Sequence, residues 1–88
     1  MKIEKEFILR EIAGEHIIVP TGETVLQFNG MITVNEIGAL LWGMLQNDVT
    51  KEEMITKVLE EYEIDEETAS KDIQEFLDKL VSAGILAL

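Results

Sequence analysis

Eighty-eight residues without a cysteine make a single domain around one small core, and they exclude disulfide staples, thiolate metal sites and a cysteine nucleophile together. Eighteen acidic residues against seven basic ones, a formal net charge of −11, oppose phosphate backbones and anionic membrane surfaces, which bind proteins through clustered Lys and Arg. The start, Met1-Lys2-Ile3-Glu4-Lys5-Glu6, carries both signs of charge and is no signal peptide, and the apolar run from Ile37 to Leu45 falls short of the ~20 residues of a membrane span. The chain therefore reads as cytoplasmic, with neither nucleic acid nor membrane as a partner.

Phe7 to Ala13 and His16 to Pro20 are two β-prone runs separated by Gly14-Glu15, the pattern of a hairpin. Apolar residues occupy both faces of the first run, as in a strand largely buried. Pro20 ends the second run, because it cannot donate to a ladder. Asn29-Gly30 then forms a tight-turn pair. The short run Met31-Ile32-Thr33-Val34 is a third strand at a sheet edge. It can pair either with Val25 to Phe28 or with the first hairpin.

The period changes at Asn35. Ile37, Leu40, Leu41, Met44 and Leu45 recur on one helical face, with Asn35 suited to cap the helix and Glu36 to sit at the positive end of its dipole. Gly38 and Trp42 lie one turn apart, so the ring can cover the glycine. Trp42 reads as a core residue, with a partner hot spot as the alternative. Met31, Met44 and Met54 read as core too, with a pliant binding groove near the edge strand as the alternative.

Val49-Thr50-Lys51-Glu52-Glu53-Met54 is a capping box with a hydrophobic staple, opening a second helix striped by Met54, Ile55, Val58, Leu59 and Tyr62. Asp65 caps a third helix with Ala69, Ile73, Phe76, Leu77 and Leu80 on one face. Gly84 closes that helix, Ile85 packs back, and Leu86 and Leu88 form an apolar tail. Three strands followed by three helices, the last two forming a helix-turn-helix, predict a winged-helix-like α+β domain: a three-stranded antiparallel sheet, then a three-helix bundle.

Catalysis finds little footing. His16 is the sole histidine and has no Ser or Asp pattern beside it, the acidic run from Glu60 to Glu67 lacks the calcium-loop spacing, and the six glycines stand at turns and caps rather than in a phosphate loop. The third helix would be the recognition helix of a DNA reader. It sets Glu66, Glu67, Asp72, Glu75 and Asp78 against Lys71 and Lys79, which opposes a phosphate backbone. What remains is an edge strand beside a helix, a geometry that takes up an extended peptide by adding a strand.

Several segments carry a family likeness: Phe7-Ile8-Leu9-Arg10-Glu11-Ile12-Ala13-Gly14, Val19-Pro20-x-Gly22, Phe28-Asn29-Gly30-Met31-Ile32-Thr33-Val34-Asn35-Glu36-x-Gly38, Trp42, Tyr62, Asp72-Ile73 and Phe76-Leu77. In order and spacing they resemble the pyrroloquinoline quinone biosynthesis protein D (PqqD) family over nearly the whole chain. The resemblance implies a non-catalytic peptide chaperone without a cofactor. Such a protein binds the leader of a ribosomally made precursor peptide and presents it to a modifying enzyme, often a radical S-adenosylmethionine protein. It implies strand addition at Met31, Ile32, Thr33 and Val34, with Lys71, Asp72, Glu75 and Lys79 on the groove side of the third helix. Asn35, Gly38 and Trp42 match the motif but are assigned structural roles as cap, close-packing site and core. An exposed strand edge suits a monomer or a weak dimer. The alternative from another class is an acidic winged-helix adaptor for protein interaction or transcription.

Overall fold

The computed structural model describes residues 1–3, 6–22 and 31–86. Its element order is β1 (Phe7–Ile12), β2 (Glu15–Pro20), β3 (Ile32–Val34), α1 (Glu36–Met44), α2 (Lys51–Glu61) and α3 (Glu66–Ser82). The three strands make one antiparallel sheet in the order β1-β2-β3. Of the two pairings the sequence allows, β3 makes the one against the hairpin, with His16 opposite Val34 and Ile18 opposite Ile32. A pairing with Val25 to Phe28 falls outside the described residues.

The hairpin turn sits one residue earlier than the sequence suggests. Ile12 pairs with Glu15, so the two-residue loop is Ala13-Gly14, and both residues are left-handed, at φ 53° and 81°. Two positive φ values in succession match the right-handed twist of the flanking strands. Alanine is a poor residue for that conformation, which is why the pattern pointed to Gly14-Glu15.

Pairing also sorts the strand residues by face. Phe7, Leu9, Ile18, Ile32 and Val34 turn toward the helices, and Ile18 is fully buried among them. Ile8 and Ile12 turn outward and are 41% and 48% exposed, so β1 is not a strand buried on both sides. Met31 is likewise not core. It precedes β3 and is 67% exposed, whereas Met54 is fully buried and Met44 packs at the core margin.

The helices begin where their caps dictate. The Asn35 side-chain oxygen accepts from the Gly38 amide at 2.8 Å, opening α1. At α2 the capping box is complete: Thr50 Oγ1 accepts from the Glu53 amide at 3.1 Å, and Glu53 Oε1 from the Thr50 amide at 3.0 Å. Asp65 stands at the N-cap of α3 outside full cap hydrogen-bond geometry, although the Thr68 hydroxyl beside it holds its carboxyl below the usual carboxylate range. Gly84, at φ 76°, ends α3. Its amide donates to the Val81 carbonyl, and the Ile85 amide donates to the Leu80 carbonyl at 2.9 Å, the paired bonds of a Schellman closure.

One core joins sheet and helices. Leu41, Leu45, Met54, Val58, Ala69, Ile73 and Leu80 are fully buried, and Trp42 is buried with them. Leu59, on the second helix's apolar stripe, is instead at the rim and 37% exposed. Ile3 reaches this core as well: its amide donates to the Leu45 carbonyl at 2.9 Å, and the Val49 amide donates to the Met1 carbonyl at 2.9 Å, so the start of the chain is clamped to the α1–α2 connection. Leu86 docks too, whereas Leu88 is outside the described residues. Among the described residues, no helix is long and apolar enough to cross a membrane.

Candidate functional site

The site grows from the strand-to-helix junction at Asn35. Among the described residues β3 pairs with β2 on one side only, and its other edge offers backbone N–H and C=O groups to a further strand. Immediately beyond Val34 the Asn35 cap turns the chain into α1, and this brings the first turn of α1 beneath that open edge.

Gly38 fixes how close the pieces come. A Cβ built there would lie 2.8 Å from the Val34 Cβ, closer than carbon contacts allow, and a tight 3.3 Å from Cε1 of Phe76. Glycine is thus required by β3 and α3, rather than by Trp42, and the close approach draws α1, β3 and α3 around one cleft. The cleft has a volume of ≈ 410 Å³. Thr33, Val34 and Asn35 form its strand wall, Ile37, Gly38 and Leu41 its floor, and Asp72, Glu75, Phe76 and Lys79 its helix wall. The helix wall follows the spacing i, i+3, i+4, i+7, a single stripe of α3. Leu41 in the floor is fully buried and Phe76 and Val34 in the walls are each 9% exposed, so the base of the cleft is apolar, whereas Asp72, Glu75 and Lys79 put charge on its helix wall.

The residues singled out from sequence divide accordingly. Thr33, Val34, Asp72, Glu75 and Lys79 come together around the cleft. Lys71 lines a neighbouring depression of ≈ 600 Å³ with Lys51, Ser70 and Gln74, and Glu75 stands between the two. There Lys51 Nζ donates to Gln74 Oε1 at 2.9 Å, and Gln74 donates in turn to Asp78 at 2.9 Å, tying α2 to α3. Ile32 turns its side chain to the core, and Met31 lies at the exposed entrance to the strand.

Ile37, Leu41 and Phe76 were read as core alone. The signal that adds them to the site is the α3 stripe itself, in which an aromatic residue stands among charged ones. The cleft lining holds neither histidine nor a hydroxyl–carboxylate–imidazole set, and among the described residues no group of three or more His, Asp or Glu could hold a metal ion. What it offers is a strand edge unpaired among the described residues, an apolar seat and fixed charges, which suits holding an extended chain.

Comparison with known proteins bears on the fold and the family. A solved structure described as TbiB1 in complex with the TbiA(beta) leader peptide shares the fold at a TM-score of 0.76 and 22% identity, covering 98% of this chain and 94% of the other. No curated protein sequence matches the chain. Residues 15–86 match the family described as Coenzyme PQQ synthesis protein D (PqqD), and the chain belongs to that family.

Proposed function

We propose that this protein is a non-catalytic peptide-recognition partner in a pathway that modifies ribosomally made peptides. It takes the leader of a precursor peptide as an additional strand against β3 and presents the following segment to a modifying enzyme. Family membership supports this reading, as does the fold shared with a protein solved together with a leader peptide. The observation that carries it is the β3 edge, unpaired among the described residues, beside the cleft walled by α3. Backbone pairing supplies sequence-tolerant affinity, and the cleft selects the side chains that alternate toward it.

The peptide is disordered before it binds, so its ordering entropy opposes docking and the affinity rests on a few anchors. Once held, the segment after the leader is at high effective concentration for an enzyme bound to the same chaperone, and no bond need be made or broken here. The peptide-contacting residues in this reading are Met31, Ile32, Thr33 and Val34 on the strand and Lys71, Asp72, Glu75 and Lys79 on the helix. In this reading the enzyme partner is a radical S-adenosylmethionine maturase, the chaperone works in the cytoplasm, and it is a monomer or a weak dimer.

Titrating the ¹⁵N-labelled protein with leader segments from short open reading frames beside its gene tests the proposal. Saturable amide shifts confined to residues 31–34 and 71–79 are the expected result. Shifts confined to the outer face of β1, or to the far side of α2, would contradict it.

A further inference from the structure

The cleft also carries information about the peptide's charge. Asp72 and Glu75 stand one turn apart on its helix wall, and no ion pair among the described residues engages either of them. Lys79 is the one cation on the lining, a turn beyond Glu75 and about 10 Å along the helix from Asp72. The lining is thus net negative, within a chain of net charge −11 whose field draws cations toward the surface and repels anions. Ile37 and Leu41 of the apolar floor, with Phe76 of the helix wall, line the same cleft as the two carboxylates and as Thr33 and Val34 of β3. A peptide strand laid along that edge advances about 3.3 Å per residue, so a side chain within two residues of one seated in the floor reaches the carboxylates.

Resting on the strand-addition reading above, we propose that the bound peptide is cationic at the cleft: an apolar side chain fills the floor, and a Lys or Arg within two residues of it faces Asp72 and Glu75. An acidic peptide of the same apolar pattern meets like charge on the helix wall and in the surrounding field, and is rejected. Charge therefore sorts peptides that backbone pairing alone would accept equally.

The test is selection of a displayed random dodecapeptide library on three forms of the protein: unaltered, the near-isosteric Asp72→Asn/Glu75→Gln double variant, and the reversed Asp72→Lys/Glu75→Lys variant. Each form is first checked for an unchanged amide spectrum outside α3. The neutral variant keeps most of the overall negative charge and so separates the cleft's contribution from the general field. It also keeps the test decisive if the reversed form does not fold.

The unaltered protein should enrich Lys or Arg at a fixed short spacing from an apolar residue. The neutral variant should lose that preference and bind the selected peptide about three- to tenfold more weakly at low salt, and the reversed form should enrich Asp or Glu instead. Peptides that shift the β3 amides but show no basic excess, or an excess that survives neutralisation, would overturn the charge assignment and leave strand addition standing. Failure to enrich any peptide, or enrichment of peptides that shift amides elsewhere, would overturn strand addition and the charge assignment with it.

Discussion

The two outer strands of the sheet make different surfaces from similar material. β1 is six residues long and places Ile8 and Ile12 in solvent on the face away from the helices. β3 has only three residues, yet Thr33 and Val34 end in a cleft whose floor is α1 and whose far wall is α3. An unpaired strand edge is a generic liability of open sheets, because any extended chain can hydrogen-bond to it. Selective recognition needs side chains within reach of the incoming strand. The comparison locates that difference in the Asn35 cap and Gly38, which bring two helices beside the shorter strand.

Substitutions can break this contrast at graded cost. The largest effect belongs to Thr33→Pro, which removes an amide from the shorter strand. Peptide binding should fall below detection in calorimetry while the far-UV circular dichroism of the three helices persists. Gly38→Ala comes next, since the added carbon meets Val34 and Phe76. A loss of about 1–3 kcal/mol of stability in urea unfolding is expected, with weaker peptide affinity as the cleft floor is displaced.

Asn35→Ala removes the bond to the Gly38 amide and should cost about 1 kcal/mol in urea unfolding, whereas Asn35→Asp, which caps equally well, should leave stability within a few tenths of a kcal/mol of the unaltered protein. The smallest effect lies at the other strand. Ala13→Asn puts a residue tolerant of positive φ in the hairpin loop and should raise stability by about 0.5–1 kcal/mol, with peptide affinity unchanged. An affinity that followed the hairpin loop would tie recognition to β1 and erase the contrast.

Much of this was legible because local chemistry decided it. The caps at Asn35 and Thr50, the Gly84 closure and the three apolar helix stripes each depend on residues within a few positions of one another, and the structure places them where the pattern does. What pattern reading missed involves distant partners. The pairing of β3 with β2 is a tertiary choice that a strand of three residues cannot encode. Ala13 adopts a left-handed turn against its own preference because Ile12 and Glu15 pair across it. Ile3 is buried through backbone bonds to the α1–α2 connection, which no periodicity announces.

Met31 was misplaced because a methionine beside an apolar strand looks like core until the strand is seen to start one residue later. At the site, the charged positions of α3 were visible as one helical stripe. The contribution of Phe76 was hidden, since an aromatic residue on a core face shows its exposed edge only once Gly38 has set the spacing.

The most direct measurement is amide hydrogen exchange across both outer strands, with and without a saturating peptide selected for binding. Strand addition beside the cleft requires new protection at amides within residues 32–34 and none along residues 7–12. Protection gained at β1, or binding that protects neither strand, would contradict it.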